Sequence, residues 1–415
     1  MTELTYEMLR DAVAGGAVAL RSVLSLQPAD GDGGKVFPPT YSVDNRAAYA
    51  EEERRVGDRV AKTVLLDSVA SQANRAEMSL LEGWEGGELS FPVAYVDFAG
   101  EEGVRDIGRI TVLEAPHRIA DAIFRDSLLD GTLFRLSDIG RAITEAHPRN
   151  ATEMFRYAPT ALLFGQWDST GPKRGLGAKF QRAFVSEIVG LDAEIGTKVG
   201  SRIDPLQIGR LAGDKIAYNH ANPEQVWTFD PNEAVQLKGG KPEPASRGSK
   251  SGEAGQPSKI NHGNIPPSID PLTGGVTISA ARQTTVLSLA ALRRLKFEDE
   301  SRGAAVAART AVAALGVAAI AYGYEMDFDL RSRCLLIPEH SPSVELVGRD
   351  GSTPEIVAIG RDSSAQLVEK AANAAADAGL GWATEEIRLV PAPKLVELLR
   401  RSREVSAREG AAESV

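Results

Sequence analysis

The sequence predicts an α+β protein: a sheet-bearing core with insertions. Short runs of Val, Ile, Leu and Phe interleave with helical patterns along the whole chain, and no segment repeats at a fixed period. Some strand candidates also follow one another directly, as at Cys334–Pro338 and 344–347. Such succession disfavours a doubly wound parallel sheet, where each parallel pair needs a crossover helix. At 415 residues and 43% hydrophobic, the chain can bury a large core in one elaborated domain or two.

Charge and cysteine content narrow the function classes. The balance of 47 Lys and Arg against 57 Asp and Glu gives −10, so any polyanion must be held in a local basic groove and not over the whole surface. The single cysteine, Cys334, excludes an internal disulfide and cysteine-zinc sites. It fits a buried thiol in a reducing compartment.

In chain order, Glu3, Glu7, Arg10 and Asp11 precede the apolar run 12–20, which reads as an amphipathic helix without the basic start of a signal peptide. Residues 26–58 are a Gly, Pro and charge-rich connection whose apolar cluster, 36–41, is a docking loop or a plain surface turn. Residues 60–66 alternate as a strand, and Asp67 or Ser68 caps the next helix. Val69, Ala73, Ala76, Leu80 and Trp84 form its buried stripe. Ser68, Gln72, Arg75 and Ser79 form a second, polar face that suits either a sugar-phosphate backbone or water.

The strand-then-helix order returns over 107–131, with Pro116 in the first helical turn, Ile119, Ile123 and Leu128 inward, and Asp130-Gly131 as the stop. His117 there reads as structural or solvated, whereas Arg118 and Arg125 are candidates for phosphate contact. Further helices are predicted near 137–146 and from Asn150, with Glu153 at capping-box spacing.

The central feature is the stretch 161–190, ALLFGQWDSTGPKRGLGAKFQRAFVSEIVG, whose ends, 161–167 and 183–189, read as strands. Between them, Gly171, Pro172, Gly175 and Gly177 leave the backbone bare, while Lys173, Arg174, Lys179 and Arg182 face the lone acid Asp168. Exposed amides beside cations are a seat for phosphate, and the same pattern serves a solvated hairpin tip.

Beyond Gly190, residues 238–268 hold few large apolar side chains and read as a mobile insertion. It ends in KINHGNIPP, where Asn261 and His262 offer base-edge hydrogen bonds on an arm that reaches across a strand or returns to the core. A strand at 275–279 and a helix over 284–297 follow; Arg293, Arg294 and Lys296 suit the negative end of that helix. The alanine-rich 303–324 reads as a core helix, too interrupted by Arg309, Gly316 and Gly323 for a bilayer span. A helix over 364–378, a strand over 386–390 and a helix over 393–407 complete the chain, read as soluble and cytoplasmic.

Catalytic motifs do not assemble. The glycine-rich loop misses the P-loop pattern, since Ala178 separates glycine from lysine and Phe180 replaces the hydroxyl for magnesium. No HExxH or GxSxG occurs, and the five histidines lack ligand spacing. Asp67 and Asp168 could share a divalent ion in a nuclease, but helix capping and turn bonding account for them. Neither a metal nor a cofactor is expected. Arg174-Gly175-Leu176-Gly177 agrees with the opening of the RRM signature except that leucine replaces the stacking aromatic.

Five longer segments carry a resemblance: LLDSVASQANRAE (65–77), RITVLEAPHRIADAIFRDSLLDG (109–131), PTALLFGQWDSTGPKRGLGAKFQRAFVSEIVG (159–190), INHGNIPP (260–267) and GGVTISAARQTTVLSLAALRRLKF (274–297). Together they resemble the backbone subunit of type I-U, or I-G, CRISPR Cascade, the seventh Cas family of the RAMP superfamily. The resemblance covers about residues 4–340 and is weaker beyond. It implies a modified RRM-like (ferredoxin-like) antiparallel palm with thumb and helical-finger insertions over 1–340, and a C-terminal α/β extension over 341–415. It further implies several copies side by side along the spacer of a CRISPR RNA, presenting bases to target DNA in antiviral defence. Other Cascade subunits and a recruited helicase-nuclease would be partners; a membrane and an enzymatic activity are not expected. The guide contacts expected are Lys173, Arg174, Gly175, Gly177, Lys179 and Arg182, supported by Gln72, Asn74, Arg75, Arg118, Arg125, Asn261 and His262. Two alternatives stand beside it, a metal-independent RAMP endoribonuclease using His117, His262 or Lys179, and a nucleotide-binding phosphotransferase.

Overall fold

The computed structural model of the chain describes residues 1–168, 179–209, 211, 216–245, 254–298 and 301–413. It divides into two compact units, Met1–Gly196 with Gly275–Leu395, and Thr197–Gly274 with Val396–Val415. The first unit is α+β, as the sequence predicts, around a 10-stranded sheet. Its strands are β1 (Thr2–Glu3), β2 (Ala19–Pro28), β3 (Glu51–Val56), β4 (Arg59–Asp67), β5 (Phe184–Leu191), β6 (Ala280–Ser288), β7 (Phe328–Arg331), β8 (Cys334–Pro338), β9 (Ser343–Val347) and β10 (Glu355–Ala358). They lie in the order β1-β10-β9-β2-β6-β5-β4-β3, with β8 also on β2 and β7 on β8. Every pairing is antiparallel except β1 with β10.

Two long helices, α1 (Val69–Glu85) and α2 (Arg302–Glu325), complete a simple core. Along the chain β2, α1, β5, β6, α2 and β8 form a β-α-β-β-α-β series whose strands stand side by side as β8-β2-β6-β5. That is the ferredoxin-like arrangement of an RRM-like palm. The β3–β4 hairpin widens it at the β5 edge, and the chain between α1 and β5 and between β5 and β6 is inserted.

Period-two patterning explains the sheet. In β2, Leu20, Ser22, Leu24 and Leu26 are buried while Arg21, Val23 and Gln27 alternate outward. Leu24, Leu26, Val64, Leu66, Ile188, Ala281 and Cys334 share one core cluster, so the thiol is buried as expected. α2 is apolar nearly all round because it is enclosed; a stretch of membrane-spanning length and composition is here 89% buried. Its N-terminus is capped by Ser301, whose Oγ accepts from Ala304 N at 3.2 Å.

Several predicted elements are corrected. Residues 161–164 are not strand but the end of a helix, Pro159–Phe164, opened by proline; only Gln166–Trp167 is extended. The first helix stops at Asp11 and residues 19–28 are the central strand β2, because Gly15 at φ 146° breaks the turn between them. Residues 284–288, predicted helical, belong to β6, which bonds β2 and β5 on its two sides. β-branched Thr284, Thr285 and Val286 suit that strand, and Ser288 caps the single helical turn Leu289–Leu292 that follows. The helix expected from Pro116 is a 3-10 turn, Arg118–Ala120, and one α-turn, Ala122–Arg125. Arg118 at φ 51° breaks the run, and Asp121 recaps it. The connection 26–58 contains the hairpin Thr40–Val43 with Arg46–Tyr49, and Val36 is buried against Val276.

Candidate nucleic-acid interface

The strand pair Gln166–Trp167 and Lys179–Phe180 brackets the basic loop, with Gln166 opposite Phe180 and Trp167 opposite Lys179. Alternation turns Phe180 into the core and leaves Trp167 52% exposed beside Lys179, whose Nζ lies 5.4 Å from the indole centroid. An exposed contact of that kind is worth about 0.5–1 kcal/mol, so Lys179 is lightly held. Gly165, at φ 82°, lets the chain turn sharply into this pair; a Cβ there would lie 2.8 Å from Arg182 N. Together with His117, Arg118 and Arg182 these residues line an open groove of about 620 Å³.

The groove wall rests on a buried ion pair. Glu77 of α1, 2% exposed, is forked by Arg118 at 2.5 and 3.0 Å, and Arg118 Nη1 also donates to Gly165 O at 3.0 Å. Its guanidinium stands 5.6 Å from the Phe164 ring. Burial lifts the Glu77 carboxyl to about 7, since desolvation outweighs the attraction of Arg118 and Arg182. Arg118 thus orients the wall, while Lys179 and the exposed Arg182 are its outward cations.

The remaining predicted residues lie elsewhere. Gln72 is buried: it donates to Asp67 Oδ2 at 2.6 Å and accepts from Ser186 Oγ at 2.9 Å and Gln283 Nε2 at 2.7 Å. Arg75 donates to Asp67 Oδ2 at 2.9 Å and to Leu330 O at 2.6 Å, and Arg331 also reaches Asp67 at 3.3 Å. The polar face anticipated on α1 is therefore a network around a buried aspartate, with Gln72 and Ser79 enclosed, Arg75 half-buried and Asn74 exposed. Arg125 pairs at 2.6 Å with Asp126, which Lys394 also reaches at 2.6 Å. Those partners hold Asp126 at about 2. Asn261 ends a 3-10 turn in the left-handed region, and the His262 ring lies 6.4 Å from Trp227 within the second unit. Lys173, Arg174, Gly175 and Gly177 lie outside the described residues.

Asp168 is paired with Arg135 at 2.5 Å. Among the described residues no cluster of three or more His, Cys, Asp and Glu side chains could hold a metal. Trp167 was missed in the sequence. An aromatic flanking a run of cations is a signal for single-strand binding that would have singled it out.

The first unit is thus an antiparallel ferredoxin-like palm with an aromatic and basic groove at its inserted side, a fold class that by itself leaves function to the site. Residues 20–195, from β2 through β5 and including the whole groove, match the family model described as CRISPR-associated protein GSU0053 (Cas_GSU0053). Over that segment the chain is similar to a CRISPR-associated protein family. No curated protein matches it.

Proposed function

We propose that this chain is the CRISPR RNA-binding backbone subunit of a type I-U Cascade. Copies would line the spacer of the guide and hold it for pairing with target DNA. The observation that carries this reading is the convergence of Lys179, Arg182 and exposed Trp167 on one groove of a protein whose formal charge is −10. Single-strand binders combine cations that track phosphate with aromatics that stack bases. The CRISPR-associated match over 20–195 and the RRM-like palm point the same way. Assembly is supported by the second unit, where the paired strands Lys198–Arg202 and Ile265–Asp270 carry Val199 (69% exposed) opposite Ile269 (71%). This facing pair offers apolar surface that a neighbouring copy would cover. In this role the subunit binds without catalysis, and base pairing reads the sequence.

The test is charge reversal. Lys179→Glu with Arg182→Glu should weaken single-stranded RNA binding for all sequences alike and flatten its salt dependence, by about 0.7 in log–log slope for each phosphate no longer neutralised. The sequence-predicted pair Lys173→Glu and Arg174→Glu should do the same. Unchanged filter binding by both double variants overturns the reading. Small RNA of uniform length copurifying with the chain supports it.

A further inference from the structure

We infer that the groove at the Trp167–Lys179 strand pair is a subsite for one unstacked nucleotide of the bound strand, its base on the Trp167 indole and its phosphate on Lys179 and Arg182. This rests on the single-strand RNA reading and adds to it a defined place for one nucleotide. Three observations carry it. Trp167 is half exposed although indole is among the most apolar surfaces the chain could bury, and it stands at the rim of a groove of about 620 Å³. That volume falls within the roughly 300–1,000 Å³ of small-molecule sites. The wall behind Trp167 is held stiff by Arg118, forked onto buried Glu77 and tied to Gly165 O, so the indole sits on a braced platform. Finally, Gln166 is among the residues lining the same groove, and its Oε1 is buried behind that surface with no hydrogen-bond partner. A buried acceptor left unpaired is costly, and a donor brought by a ligand relieves it.

The free state already contains a weak substitute for the base. Lys179 Nζ lies over the indole at 5.4 Å. Stacking by a nucleobase is the stronger contact, so the base takes the ring and the ammonium moves onto the phosphate, where it meets a full negative charge.

The experiment titrates the full-length protein with single-stranded oligo(A) RNA, following intrinsic tryptophan fluorescence and filter binding together. Binding should quench the indole of Trp167, and that part of the signal should vanish in Trp167→Phe while affinity stays within a few-fold. Trp167→Ala should lose about 5- to 100-fold in affinity. Gln166→Met, which removes the acceptor at similar volume, should weaken binding several-fold; tighter or unchanged binding would show that no ligand donor reaches it. Full affinity in Trp167→Ala, or a quench identical in wild type and Trp167→Phe, overturns the subsite while leaving RNA binding intact. Failure of the wild-type protein to bind RNA removes both together. Trp167 is exposed, so the variants fold, and circular dichroism checks this.

Discussion

At Arg118 and Glu77 a single carboxylate decides how the groove responds to pH. The folded state keeps the Glu77 proton up to about 7, whereas an exposed glutamate releases it near 4.5. Between those values the native state binds more protons than the unfolded one, so this group's contribution to stability is fully present below about 4.5 and is lost as pH rises through about 7. Arg118→Ala leaves Glu77 buried without its forked partner and should cost about 3–5 kcal/mol at pH 8. At pH 5.5, where the carboxyl is already neutral, the cost should be smaller by about 1.4 kcal/mol, the worth of one pH unit above about 7. Urea unfolding of the variant at both pH values measures the difference; equal losses would show that Glu77 does not titrate as described. Asp67 is another buried carboxylate, held by Gln72, Arg75 and Arg331. None of this could be read locally. Gln72 and Arg75 fall on one polar helix face in the sequence, and their inward direction follows only from β7 and β5 arriving beside α1.

Among the elements, α2 and β6 are matched surface to surface. Gly316 of α2 lies where an added Cβ would come within 2.8 Å of Leu287 of β6 and 3.1 Å of Leu163. Gly316→Val should therefore cost about 1–3 kcal/mol by overpacking, seen as a lower urea midpoint, with RNA affinity at the groove unchanged. A midpoint equal to wild type would mean the helix shifts freely against the sheet. The long helices were legible in the sequence, as were some caps: of Asp67 and Ser68 it is Ser68 that caps α1, and Ser137 caps Asp138–Glu145, whereas Ser301, the cap of α2, was not singled out. Short elements were not. Residues 284–288 and 161–164 carry apolar runs too brief for periodicity to separate strand from helix, and partners on both edges of β6 made the choice.

At the scale of the whole molecule, excess acid disfavours nonspecific attraction of polyanions, so the proposed RNA binding must rest on a local groove. The proposed assembly predicts a separation of functions. Val199→Glu with Ile269→Glu, on the second unit, should abolish length-dependent multimers on long RNA in sedimentation while leaving affinity for a short oligomer within about two-fold, since neither residue lines the groove. Loss of short-oligomer binding would place that strand pair in the RNA contact itself.

By itself the sequence determined the α+β class, the enclosed alanine-rich helix, the inert buried thiol and the neighbourhood of the basic loop, because these follow from composition, periodicity and caps within a few turns of chain. Only the tertiary structure decided the ferredoxin-like strand order, the inward turn of Gln72 and Arg75, and the union of Arg118, Trp167, Lys179 and Arg182 in one groove. Those depend on which distant segments meet: Arg118 finds Glu77 across 41 residues of chain, and no local pattern encodes such a partner.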